Sequence, residues 1–158
     1  MLLKNFFACL DAIIRRSYSS VAVKSIENGN VDPSNIDSKE PFYDILSNDG
    51  TKYVKCGTGT TAPTINDYAL QTLDSNLSVS NVSVGITKSV NSIMFSLSFT
   101  VTNTSSTTKS LSEFCYGKSK NSDYWSHLTY IGIREVLATP IELAAGASTV
   151  LSYSINIA

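Results

Sequence analysis

The chain carries a single histidine, His127, and three cysteines, Cys9, Cys56 and Cys115. A thiol and an imidazole form a nucleophile–base pair when a third group orients the base. Cys115 and His127 stand 12 residues apart and the spacing marks no orienting group, so His127 reads as a partly buried structural side chain. One histidine among scattered carboxylates does not make a metal site, which needs several convergent ligands. The cysteines are odd in number and none are close neighbours, so no CxxC metal or redox motif exists. They read as reduced thiols of a protein assembled in a reducing cytoplasm. Gly57-x-Gly59-x-x-Ala62 matches the letters of the dinucleotide fingerprint. That fingerprint functions only where a helix opens at its end and aims its amino terminus at a pyrophosphate. Here Pro63 follows, no βαβ pattern surrounds the glycines, and no phosphate-binding GxxxxGK loop occurs. The residues therefore imply no catalytic group, metal or cofactor.

Aromatic side chains gather at Phe114, Tyr116, Tyr124, Trp125 and Tyr130. Tyr124 and Trp125 fall in the stretch 118–126, which reads as the longest loop of the C-terminal half. Exposed Tyr and Trp are favoured at recognition surfaces, and they also cap the open ends of β-sandwiches. Both readings stay open: a cap, or a surface for a protein or a sugar. Sequons at Asn76, Asn81 and Asn103 are as many as chance gives with 12 Asn, 25 Ser and 15 Thr in the chain. They do not argue for glycosylation.

The elements that would position these residues follow from composition and periodicity. A length of 158 residues fits about one domain. Twelve Lys and Arg against 13 Asp and Glu leave a net charge of −1, with no basic footprint for nucleic acid. Hydrophobic residues make up 42% and charged residues only 16%. Serine and threonine fill the gap, which suits strands with a wet hydroxylated face rather than a helical bundle or a disordered chain.

Residues 2–16 read as an amphipathic helix, with Leu2, Leu3, Phe6, Phe7, Leu10, Ile13 and Ile14 at spacings of three and four. Lys4 and Asp11 interrupt the apolar run and Arg15-Arg16 follows it, so it reads as neither a signal peptide nor a membrane span. Its polar face has too few cations for strong lipid attraction. The stripe needs a cover, either its own domain or a neighbouring protein.

The remainder reads as β. Val21–Ile26 forms a first strand, 28–41 a polar loop, and Phe42–Leu46 and Thr51–Cys56 a hairpin around Asn48-Asp49-Gly50. Residues 57–64 have loop chemistry and 65–70 one short helical turn. Leu77 and Val79 alternate in one phase, and Val82, Val84 and Ile86 in the other, so a bulge is expected between them. Ile93, Phe95, Leu97, Phe99 and Val101 mark the cleanest strand. After the polar turn 103–109, Leu111–Tyr116 is expected to pair back, followed by strands at 128–136, at 141–143 and through Leu151, Tyr153, Ile155 and Ile157. About eight strands without helical crossovers predict a mainly β chain: an antiparallel β-sandwich, jelly-roll or Ig-like. Residues 1–20 would be helix and connector, and 21–158 the β-domain. Its core is expected in 77–157, with Phe95, Leu97, Phe99, Leu151, Tyr153 and Ile155 inward.

Two segments carry a family resemblance. Gly57-Thr58-Gly59-Thr60-Thr61-Ala62-Pro63-Thr64 followed by Asn66-Asp67-Tyr68-Ala69-Leu70 resembles a recurrent element of small tailed-phage virion proteins. Arg134–Leu143, then Ala145-Gly146 and Leu151–Ile155, is similar to that family's closing pattern. Residues 28–48 and 103–126 lie outside the resemblance, and it brings no catalytic residues with it. It implies a non-enzymatic structural component of a bacteriophage virion, as a head-fibre, decoration, tail or baseplate protein. Its place would be the virion, assembled in the host bacterial cytoplasm. The implied partners are other virion proteins and copies of itself, a trimer among the options, with no nucleic acid and no membrane. A sandwich already fills its own two inner faces, so Leu3, Phe6, Phe7, Leu10, Ile13 and Ile14 are expected to form the assembly interface, with Ser17–Ser20 as connector. The alternative is a carbohydrate- or receptor-binding module on the virion surface using Tyr124 and Trp125. A hydrolase using His127 ranks last.

Overall fold

A computed structural model describes residues 1, 23–25, 29–31, 51–88, 93–122 and 125–157. The helix expected over 2–16, the connector Ser17–Ser20, the strand 42–46 and Tyr124 lie outside the described residues. What is described is mainly β and contains no helix.

Six antiparallel strands build two sheets. One has β3 (Thr51–Gly57), β6 (Lys109–Ser122) and β7 (Trp125–Leu143) in the order β3-β6-β7. The other has β4 (Leu77–Lys88), β5 (Ile93–Asn103) and β8 (Ser148–Ile157) in the order β4-β5-β8. A separate ribbon pairs β1 (Val23–Ser25) with β2 (Gly29–Val31), and β1 lies against β7. Gly29–Val31 falls in the stretch expected as loop. With Val31 opposite Val23, three residues suffice for a short ladder.

β5 is the central strand of its sheet, and its alternation is regular. Phe95, Leu97, Phe99 and Val101 are buried, while Ser96, Ser98, Thr100 and Thr102 turn to the other face. The register sets Phe95 opposite Ile155, Leu97 opposite Tyr153 and Phe99 opposite Leu151, so the apolar faces of β5 and β8 coincide. On its other side β5 meets β4, whose register shifts between Ser80 and Ser83. Asn81 sits there at φ 53°, a left-handed conformation that Asn tolerates better than most residues. The phase change in the apolar pattern is this bulge.

One buried cluster draws on both sheets. Val54 and Cys56 of β3, Leu111, Phe114 and Tyr116 of β6, and Ile133 and Leu143 of β7 join the apolar faces of β4 and β5. Leu151, Tyr153 and Ile155 pack against it, half-buried. Rings meet between the sheets at tilted and edge-on angles: Phe95–Tyr116 and Phe99–Phe114 at 5.4 Å, Phe114–Tyr153 at 5.5 Å. β3 therefore extends the core beyond the expected 77–157.

Several connections differ from expectation. β3 pairs with β6, sixty residues on, with Val54 opposite Tyr116. β6 does not return beside β5 but crosses to the other sheet. Asn103 secures that crossing. Its fully buried amide Nδ2 donates to the carbonyls of Thr107 (2.7 Å), Leu143 (2.8 Å) and Ala144 (3.1 Å). Its Oδ1 accepts from the Ser105 backbone N–H (2.9 Å) and hydroxyl (2.7 Å). Both sheet-to-sheet turns, 103–109 and 143–148, are thus tied to one side chain.

The stretch 118–126 is not a long loop. β6 runs to Ser122, β7 begins at Trp125, and these two residues are partners in the ladder. Its polar composition hid a strand whose partner Leu128–Tyr130 supplies the ladder. The strands expected at 128–136 and 141–143 are one, β7, with residues 137–140 looped out between the pairs Glu113–Val136 and Leu111–Ile141. Pro140, which has no N–H, sits at that interruption. At 64–67 a single hydrogen-bonded turn forms, with Asp67 N–H donating to the Thr64 carbonyl at 3.1 Å, and it does not continue as a helix to Leu70. The Asp67 carboxylate accepts from the Thr64 backbone N–H (3.0 Å) and hydroxyl (2.6 Å), bonds of the capping-box kind that brace this one turn.

Candidate functional site

Among the described residues, the outer face of the β3-β6-β7 sheet holds the most concentrated charge chemistry. Register shifts decide which side chains reach it. The shift between Leu111 and Glu113 places Leu111 and Phe114 in the core and turns Glu113 and Cys115 outward. A second shift opposite Gly132 sends Ile133 into the core and Ile131 to the outer face beside Cys115. The segment 58–72 folds over this face. Leu70 packs on Cys115 and Ile131 together with Tyr53, and Thr58 N–H donates to the Thr72 carbonyl at 2.9 Å.

Beneath that segment Glu113 is fully buried and Arg134 is 3% exposed. Glu113 Oε1 accepts from the backbone N–H groups of Thr72 (2.7 Å) and Gly59 (3.2 Å). Its Oε2 accepts from Gln71 N–H (3.1 Å) and from Arg134 Nε (2.9 Å) and Nη2 (2.7 Å). Arg134 Nη1 reaches Asp67 Oδ2 at 2.6 Å, and Nη2 also donates to the Thr61 carbonyl at 3.1 Å. Five donors saturate a carboxylate with about four lone-pair sites, so Glu113 is a fixed acceptor rather than a base with a free edge. Burial alone would raise the Asp67 carboxyl, but bonds from Thr64 and Arg134 outweigh it and hold the group below its ordinary range. Burial pulls the Arg134 guanidinium down, and its bonds to Glu113 and Asp67 more than restore it, raising it above normal.

The two glycines belong to this construction. A Cβ on Gly57 would stand 2.2 Å from the Thr72 carbonyl oxygen, and one on Gly59 would stand 2.4 Å from Glu113 Oε1. The Gly-x-Gly spacing serves close backbone approach to a carboxylate, not to a pyrophosphate. Above Arg134 and Asp67 lies an open depression of about 310 Å³, lined also by Thr61, Thr64, Asn66, Tyr68 and Gln71. The charged pair is already engaged, so the depression presents hydroxyl and amide groups beside the apolar Ala62, Ala69 and Leu70.

Met1 docks on the far side of Arg134. Its ammonium donates to the Arg134 carbonyl (2.8 Å) and to the Glu135 carboxylate, and the Arg134 N–H donates to the Met1 carbonyl (3.1 Å). Burial, then the Glu135 charge, pushes the Tyr153 phenol above its ordinary range.

The expected site residues fall elsewhere. Leu3, Phe6, Phe7, Leu10, Ile13, Ile14 and Tyr124 lie outside the described residues, and Trp125 opens β7 opposite Ser122. Cys115 faces Arg134 across the ladder, seven positions along β7 from His127. That separates the two by roughly 20 Å at about 3.3 Å per residue, so they form no pair. Cys56 and Cys115 are buried unpaired thiols, both pushed up to about 12 by burial. Glu113, Arg134 and Asp67 were not singled out by sequence. The available signal was a charge inside each of two apolar runs, Glu113 within Leu111–Tyr116 and the adjacent Arg134 and Glu135 within Ile131–Val136. No protein-family model, curated protein or solved structure matches the chain.

Proposed function

We propose that the chain is a non-enzymatic structural component of a bacteriophage virion, built as an antiparallel β-sandwich from its two sheets. The observation that carries this reading is the ion-pair fastening of segment 58–72. It joins the two stretches that bear the resemblance to phage virion proteins, Gly57–Leu70 and Arg134–Leu143, through Arg134, Asp67 and Thr61. A loop held by a saturated buried carboxylate is suited to presenting a fixed surface. It is poorly suited to opening and closing over a substrate. Ile65 and Tyr68 stand exposed on this segment and Leu73 directly after it, where a fixed surface can meet neighbouring subunits. In this reading the apolar stripe of 2–16 supplies a further assembly contact.

The experiment is mass spectrometry and immunogold labelling of purified particles. The chain is expected in every particle at fixed stoichiometry, and its absence from particles would sink the proposal. A Trp125→Ala chain should still be incorporated. Normal incorporation with lost host adsorption would favour the receptor-binding alternative instead.

A further inference from the structure

We propose that two copies of this chain join along the outer edge of β8, pairing β8 to β8 antiparallel so that their two three-stranded sheets become one. This deepens the assembly role above and rests on it for the expectation of self-association.

A sheet edge presents backbone N–H and C=O groups that only another strand satisfies fully, and proteins guard such edges with charges, proline or bulges. Three edges here are guarded. β3 carries Lys52 and Lys55, and its end is bridged by Leu73 opposite Gly57. β4 is broken by the bulge at Ser80–Ser83. β7 carries Arg134, Glu135 and Pro140, is irregular, and pairs with Met1. β8 has none of these devices. Its ten residues, Ser148–Ile157, include no charge, proline or glycine, and its ladder to β5 runs unbroken from Ser148 to Ile157. Among the described residues no strand pairs with its other side.

Burial points the same way. Leu151, Tyr153 and Ile155 face the core yet stay only partly buried, while Val150, on the opposite face with its partner Thr100, is 64% exposed. Their partners in β5, Phe95, Leu97 and Phe99, are at most 4% exposed. The flank of the core beside β8, touched by Met1 at the Tyr153 hydroxyl (3.4 Å), is thus less covered than the core at β5 and would be buried further under an added strand. A second copy fits because an uncharged strand meets itself without like-charge repulsion, and antiparallel pairing is self-complementary about a two-fold axis. Serines on its outer face can meet across the new ladder as the Thr102 and Ser148 hydroxyls already do at 2.8 Å.

The test uses the full chain, in sedimentation velocity over a wide concentration range with peptide-resolved hydrogen exchange. Wild type is expected to show a concentration-dependent dimer in which 149–156 gains at least tenfold protection. The exposed-face variant Ser152→Lys/Ser154→Lys should weaken that dimer at least tenfold with unchanged circular dichroism. If this variant misfolds, the concentration dependence of wild-type exchange decides alone. A wild-type monomer throughout, or an oligomer in which β8 exchanges as in the monomer, overturns the proposal. A β8 dimer from a chain absent from virions would overturn the virion role alone, and a monomeric chain within virions would overturn β8 pairing alone.

Discussion

Replacing Arg134 with methionine keeps much of the aliphatic volume and removes the guanidinium. Glu113 then loses two of its five donors, those at 2.9 and 2.7 Å, and being fully buried it cannot recover them from water. Removing one partner of a buried pair costs about 3–5 kcal/mol, because the remaining charge stays desolvated. Asp67 adds little, since its side chain is 23% exposed and can be rehydrated, for about 0–1 kcal/mol. The expected loss is therefore about 3–5 kcal/mol of a total near 5–15 kcal/mol, read as a lower urea midpoint. Glu113→Gln places an amide NH₂ against N–H donors and should cost about 1–3 kcal/mol. The double variant holds no buried charge, so it should be less destabilised than the sum by about 1–3 kcal/mol. A loss below about 1 kcal/mol for Arg134→Met, or strict additivity, would show the pair to be hydrated and refute the fastening.

The pH dependence follows from Asp67, whose folded value lies below its ordinary 3.8. Its contribution is complete at neutral pH, declines below about pH 5 and vanishes as pH falls through the folded value. Urea midpoints between pH 7 and 2 should show this slope, shallower in Asp67→Asn. Cys56 and Cys115, pushed up to about 12 by burial, should resist alkylation at pH 8 until the chain unfolds, as peptide mapping would report. Phe99→Ala should cost about 3–5 kcal/mol, and a loss below about 1 kcal/mol would mean its face is not buried. Gly59→Ala should destabilise by about 1–3 kcal/mol through its contact with Glu113, and exchange in 58–72 should rise with it.

How far the amino-acid pattern alone reaches can be judged element by element. The alternation of Phe95, Leu97 and Phe99 with Ser96 and Ser98 specifies a strand and its buried face, since side chains alternate along any strand. The phase change between Val79 and Val82 likewise announces the bulge at Asn81. Local order of this kind is written in neighbours two to four residues apart. Strand partnership is not: β3 meets β6 and β6 leaves β5 because of side chains distant in sequence, such as Asn103 reaching Leu143. Only the folded chain converts Glu113, an apparently outward-facing carboxylate, into a buried anchor. Its burial comes from segment 58–72 lying over it and Arg134 arriving from β7, and no spacing within β6 encodes either. The Gly57–Gly59 pair shows the division most clearly. Its letters signal close backbone approach, and tertiary structure alone decides that the approaching group is this protein's own carboxylate.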